Sequence, residues 1–183
     1  MGMPAPIYYT VDMVRALPDD GKRYEVVRGE LLVTPAPRTW HQEVLGRLYA
    51  SLGHYLERSS VGHVFFSPAD ITWGREDTLV QPDLFVVPLE DARTMQWAAM
   101  RRLLLVAEIM SPSSGQADRF VKRAEYQRQG VSIYWLVDPD ARLVEVWTPD
   151  DHFPLFERER LVWHPVGAAE PFTVELAELF RPI

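Results

Sequence analysis

Leu103 to Met110 reads LLLVAEIM, a nearly continuous apolar run in which Glu108 is the sole charge. A strand whose two alternating faces are both apolar must be covered on both, so the run predicts an interior strand of a layered sheet. Glu108 then needs a partner, because a carboxylate removed from water costs several kcal/mol unless it is paired or bound to a cation. Leu79 to Val87 poses the same problem: it reads as a second interior strand, interrupted by Pro82 and Asp83. Proline removes a ladder donor, so this strand is locally opened or lies at an edge. Either carboxylate could simply pair with an arginine. Two of them on core strands are harder to explain that way.

The rest of the chain supplies layers for such a sheet. Thr10 is a candidate N-cap for a short helix from Val11 to Leu17, closed by Pro18 and the Asp19-Asp20-Gly21 turn. Residues 23–28 and 30–34 are two β-branched runs about Gly29, which predicts a hairpin. From Thr39 the period changes. Trp40, Val44, Leu45, Leu48, Leu52 and Leu56 recur at helical steps, with His41 at the edge of their stripe. Strands are predicted at 63–67, 71–73 and 79–87, then a short helical or irregular segment at 90–100. Ser111 to Gly115 forms a turn after the central strand, 116–129 a helix closed by Gly130, and 131–137 and 143–147 two strands joined by Asp138-Pro139-Asp140. The tail adds a weaker strand or two and a terminal helix at 173–180. This order predicts an α/β (α+β) fold: one domain over residues 1–183, with a mixed β-sheet flanked by helices and an N-terminal β-hairpin.

Composition narrows the chemistry. There is no cysteine, which excludes thiol nucleophiles, disulfides and thiolate zinc sites, and leaves carboxylates and five histidines as metal ligands. No apolar run approaches the ~18 residues of a membrane span, and MGMPAPIYY lacks the pattern of a secretion signal, so the expected location is the cytoplasm, with no membrane partner. The formal charge of -7 argues against a nucleic-acid binder, which usually carries a basic face. Of the basic residues 17 are arginine and 2 lysine. Lys22 lies in a turn, whereas Lys122 lies mid-helix, where Asp118, Lys122 and Tyr126 follow each other at four-residue steps. That stripe either faces the sheet and brings Lys122 to the carboxylates, or is an exposed ion pair worth a few tenths of a kcal/mol. Glu25 either joins the same pocket or pairs with Arg23 or Arg28, and His41 either joins it or packs its helix's first turn. Ser111-Pro112-Ser113-Ser114-Gly115 has no nucleophile-elbow pattern and reads as a turn with a helix N-cap. His54, His63, His152 and His164 show no ligand spacing, and Phe153, Phe156, Trp163 and Phe172 read as core.

Six segments, in order, carry a resemblance: RYEVVRGEL at 23–31, the helix beginning at His41, QPDLFVV at 81–87, VAEIMSPSS at 106–114, DRFVKRAEYQRQGV at 118–131 and YWLVDP at 134–139. Together they resemble the Uma-type restriction endonucleases, a branch of the PD-(D/E)XK nuclease superfamily. The resemblance implies a restriction-endonuclease-like fold and an endodeoxyribonuclease that hydrolyses phosphodiester bonds with Mg²⁺ or Mn²⁺. Asp83 becomes the motif aspartate and Glu108 the motif acid, both metal ligands with the carbonyl of Ile109. The superfamily's usual lysine position holds Met110, so the resemblance implies that Lys122 replaces it as the catalytic cation. Glu25 and His41 would complete the catalytic set. DNA is the expected partner, and a homodimer the expected assembly, because cutting both strands needs two sites; Trp147, Phe153, Phe156 and Trp163 are candidates for the shared surface. The competing expectation is an inactive nuclease-fold protein acting as an oligomeric binding or scaffold module.

Overall fold

A computed structural model describes residues 7–112 and 114–183. In chain order the elements are α1 (Val11–Arg15), β1 (Arg23–Val27), β2 (Glu30–Thr34), α2 (Thr39–Ser59), β3 (His63–Phe66), β4 (Leu84–Val87), α3 (Leu89–Ala92) and β5 (Leu105–Ile109). A π-helical turn (Ala117–Lys122) then leads into α4 (Arg123–Arg128), followed by β6 (Tyr134–Asp138), β7 (Leu143–Trp147), β8 (Leu155–Glu157), β9 (Arg160–Trp163), β10 (Phe172–Glu175) and α5 (Leu176–Leu179).

β3 to β8 form a six-stranded sheet in sequence order, with β5 and β6 parallel and every other neighbouring pair antiparallel. Parallel neighbours need a crossover, and the helix over 117–128 provides it. This is the mixed, helix-flanked sheet that the element order predicts. All five residues of β5 are buried, as its apolar run requires. Alternation sends Leu105, Ala107 and Ile109 towards α2, where they pack with Val44, Leu48, Leu52, Trp135 and Val137. Val106 and Glu108 face the opposite layer, where Tyr126, Tyr134, Leu136 and Trp147 lie.

That opposite layer is closed by the hairpin. Gly29 turns it at φ +82° and Arg28 at +49°, and β1 pairs with β2 over all five residues. Two contacts fix the hairpin over the sheet. Val26 exchanges both main-chain hydrogen bonds with Leu79, at 2.9 and 2.7 Å. Arg28 Nε donates to Glu125 Oε2 of α4 at 2.8 Å, and the carboxylate also accepts from Arg128 and Gln129. Glu125 is fully buried, although nothing in its sequence setting distinguishes it from a surface helix residue.

Several boundaries differ from expectation. Residues 71–73 and 79–80 form single bridges, Ile71 with Val80 and Val26 with Leu79, and regular pairing of β4 begins only after Pro82. The expected helix at 173–180 is a strand as far as Glu175, because Phe172 to Glu175 pair with β9; helix follows only at Leu176–Leu179. Trp147, Trp163 and Phe172 are core residues, but Phe153 and Phe156 are exposed, so only these last two remain available to a shared surface. The predicted turn at 111–115 includes Ser113, which lies outside the described residues. Ser114 accepts from Asp118 N, the start of the helical turn that follows. No helix among the described residues is long and apolar enough to cross a membrane.

Candidate active site

Pro82 opens the strand ahead of β4, and the main-chain donors on either side of it turn to carboxylates. Gln81 N donates to Glu25 Oε1 at 2.7 Å, and Asp83 N donates to Glu108 Oε2 at 3.2 Å. The second bond is answered from the neighbouring strand, where Ile109 N donates to Asp83 Oδ2 at 2.8 Å. Asp83 and Glu108 are therefore stapled together, the Glu108 carboxyl by the backbone of Asp83 and the Asp83 carboxylate by that of Ile109. Asp83 Oδ2 also meets His41 Nε2 at 3.0 Å, and Oδ1 accepts from Arg23 Nη1 at 2.7 Å.

Lys122 enters from the crossover helix. Its Nζ lies 2.5 Å from Glu108 Oε1, 2.9 Å from Glu25 Oε1 and 3.7 Å from Asp118 Oδ1, and the side chain is 2% exposed. The local geometry explains the reach. In an α-helix a residue four further on overshoots the stripe by about 40°; the wider π-turn rotates it the other way. The step from Asp118 to Lys122 thus offsets that from Lys122 to Tyr126, and all three side chains point at the sheet. Tyr126 Oη donates to Glu108 Oε1 at 2.7 Å.

All five residues predicted for the site, Asp83, Glu108, Lys122, Glu25 and His41, line one narrow cleft with Ile109. Arg23, Ser111, Ser114 and Asp118 line it too. Sequence reasoning placed Arg23 only as a partner for Glu25, and Asp118 only as a helix neighbour of Lys122. His41 has a further peculiarity: its Nδ1 is buried and has no partner among the described residues.

The electrostatics follow from burial and crowding. Glu25, Asp83, Glu108 and Asp118 are each at most 5% exposed. Against these four acids stand Lys122 and Arg23, so the acids outnumber the permanent cations. Burial, reinforced by the neighbouring acids, pushes the Glu108 and Asp118 carboxyls above the usual carboxylate range despite the adjacent ammonium. Burial would also raise Asp83, but the His41 hydrogen bond and the Arg23 charge hold it well below that range. Burial would lower Lys122; Glu108, Glu25 and Asp118 outweigh it and keep the ammonium protonated.

These residues fit a hard divalent cation. The donors are all oxygen, which suits Mg²⁺ or Mn²⁺. No three Asp, Glu or His residues among those described form a ready-made ligand cluster. The Ile109 carbonyl lies on the strand edge where Ile109 N meets Asp83, since N–H and C=O of one extended residue point the same way.

The Uma2 family profile, described as "Putative restriction endonuclease", matches residues 11–166. Among solved structures, the chain shares its fold with a protein from Anabaena variabilis ATCC 29413 described as "a putative nuclease belonging to DUF820". The TM-score is 0.74 at 21% identity, covering 94% of this chain and 97% of that one. No protein of curated function matches the sequence.

Proposed function

The chain belongs to the Uma2 family, and from that premise we propose that it is a metal-dependent endonuclease, acting on DNA in the cytoplasm. The observation that carries this reading is the convergence of Asp83, Glu108 and Lys122, from two neighbouring strands and a crossover helix, in a single buried cluster. Salt bridges of structural origin need one cation per anion. Here the acids outnumber the cations, and a buried acid excess is costly unless something positive is bound.

Asp83, Glu108 and the Ile109 carbonyl would hold Mg²⁺ or Mn²⁺. Such an ion supplies Lewis acidity towards the phosphate and the attacking water. The protein's own groups do the rest. Lys122, which its acidic neighbours keep charged, acts as a fixed positive charge against the negative charge that develops on the phosphate oxygens, and not as a base. Glu25 holds the ammonium in place at 2.9 Å, Tyr126 orients Glu108, and His41 and Ile109 N fix the Asp83 carboxylate. The test is cleavage of single-stranded DNA, duplex DNA and RNA with Mn²⁺, Mg²⁺ or EDTA. DNA should be cut only with a divalent ion; no cleavage of any substrate under any condition contradicts the reading.

A homodimer follows from the need to cut both strands of a duplex. Exposed Phe153, Leu155 and Phe156 at the β8 edge of the sheet are its candidate surface, and light scattering at tens of micromolar protein tests it. The net charge of -7 favours a second reading, a nuclease fold without catalysis serving as a binding module. Thermal stability separates the two: it rises with Mn²⁺ if the carboxylates form a site, and stays constant if they are only salt-bridged.

A further inference from the structure

Arg23 opens β1 at the mouth of the cleft. Nη1 donates to Asp83 Oδ1 at 2.7 Å and to the carbonyl of Gln81 at 3.1 Å, and Nη2 donates to Ser67 Oγ at 3.1 Å. The other Asp83 oxygen, Oδ2, is already engaged by Ile109 N and His41. Oδ1 is thus the oxygen through which Asp83 can take a new ligand without losing the contacts that orient it, and a guanidinium sits on it. A divalent cation and a guanidinium repel each other and cannot both hold Oδ1 closely.

The geometry points to Arg23 as an exchangeable cation: it compensates Asp83 while the metal is absent, gives up Oδ1 when the metal binds, and turns its freed N–H groups to the phosphodiester. This rests on the metal-dependent nuclease reading above and adds to it a phosphate-binding residue. Two features make the exchange inexpensive. The contacts to Gln81 O and Ser67 Oγ do not involve Asp83, so they anchor the side chain after it is released. A guanidinium also matches phosphate oxygens with two parallel N–H donors, so its new partner replaces the lost hydrogen bond in kind. A purely structural Arg23 would instead stay on Asp83 whether metal is bound or not.

Metal-stripped full-length wild type, Arg23→Met, Arg23→Lys and Asp83→Asn separate these possibilities. Without metal, Arg23→Met should melt below wild type; with saturating Mn²⁺ the gap should close. Its Mn²⁺ dissociation constant by calorimetry should fall about tenfold or more, and its DNA cleavage at saturating Mn²⁺ should fall about a hundredfold. Arg23→Lys keeps the charge, and should keep near wild-type Mn²⁺ affinity while cutting poorly. An unchanged or weaker Mn²⁺ affinity in Arg23→Met, or the same melting gap with and without Mn²⁺, overturns the exchange. If Arg23→Met does not fold, Arg23→Lys decides alone: wild-type cleavage by it overturns the phosphate contact. Wild type that binds no Mn²⁺, or Asp83→Asn that binds it as well as wild type does, overturns the metal reading itself and the exchange with it.

Discussion

The two faces of the central sheet are built from the same strands and have opposite characters. On the α2 face, Leu105, Ala107 and Ile109 of β5 and Val144 and Val146 of β7 meet an apolar helix, and stability comes from close packing. On the other face the intervening residues of the same strands include the carboxyl groups of Glu108 and Glu145, both buried. Glu145 is fully answered: Arg119 pairs with it from the crossover helix and Trp147 Nε1 donates to it at 3.3 Å. Glu108 is not, because the ammonium beside it is shared with two other acids. One face stabilises the fold, and the other holds a charge imbalance that the fold has to tolerate.

The largest contrast should come from single substitutions on the two faces. Asp83→Asn and Glu108→Gln should each lower metal-dependent cleavage by about a thousandfold or more. Glu108→Gln should not lower the melting temperature of the metal-free protein by much, since it relieves a desolvation penalty, whereas Asp83→Asn should lower it, because Arg23 and His41 stabilise the Asp83 carboxylate. Leu48→Ala, at a fully buried α2 position, should do the reverse and cost about 2–5 kcal/mol with cleavage per folded molecule unchanged. Equal loss of stability on both faces would remove the distinction.

Lys122 comes next. Lys122→Met should abolish cleavage but retain Mn²⁺ binding, and Lys122→Arg should restore little activity, because a planar fork does not fill the place of a compact ammonium bounded by Glu108, Glu25 and Asp118. A fully active Lys122→Arg would reduce Lys122 to a salt-bridge partner.

The faces should also differ in their response to pH. Glu108 and Asp118 have folded-state pKa values above their unfolded ones, so each contributes stability that is complete at acid pH and is lost as pH rises through the folded value. Metal-free protein should therefore lose stability between about pH 5 and about pH 8, and Glu108→Gln should flatten that slope. Asp83 has the opposite sign: its contribution is present above the ordinary carboxylate range and is lost only on further acidification. Leu48→Ala should lower the whole curve and leave its slope alone. Melting curves across this range decide the matter.

The smallest effect belongs to Arg28, whose half-exposed side chain ties the hairpin to Glu125. Arg28→Ala should lower the melting temperature only slightly, because Arg128 and Gln129 still satisfy the carboxylate and an exposed ion pair is screened by solvent. Cleavage should fall only a few-fold as Glu25 loosens.

How much of this was legible in the sequence depended on range. Glu108 stood out because a single charge in an apolar run has no local explanation, and Asp83 because a proline marks where a strand must open. The spacing of Asp118, Lys122 and Tyr126 signalled a shared face, although the π-turn that straightens it left no separate signal. Arg23 on Asp83 was not legible, because their meeting depends on where the hairpin settles over the sheet, which the pairing of Val26 with Leu79 decides across more than fifty residues. Glu125 was hidden for the same reason, being buried by an arginine that arrives from the hairpin turn. The tail strand at Phe172 likewise depends on a partner strand, β9, and not on its own composition.

The most direct test of the charged face as a cation site is a calorimetric titration of metal-stripped protein with MnCl₂, on wild type and Glu108→Gln in parallel. Saturable binding by wild type, with a loss of affinity of about tenfold or more in Glu108→Gln, is the predicted result. No saturable binding by wild type, or equal affinity in the two proteins, would contradict it and leave Glu108 as a buried salt-bridge partner of Lys122.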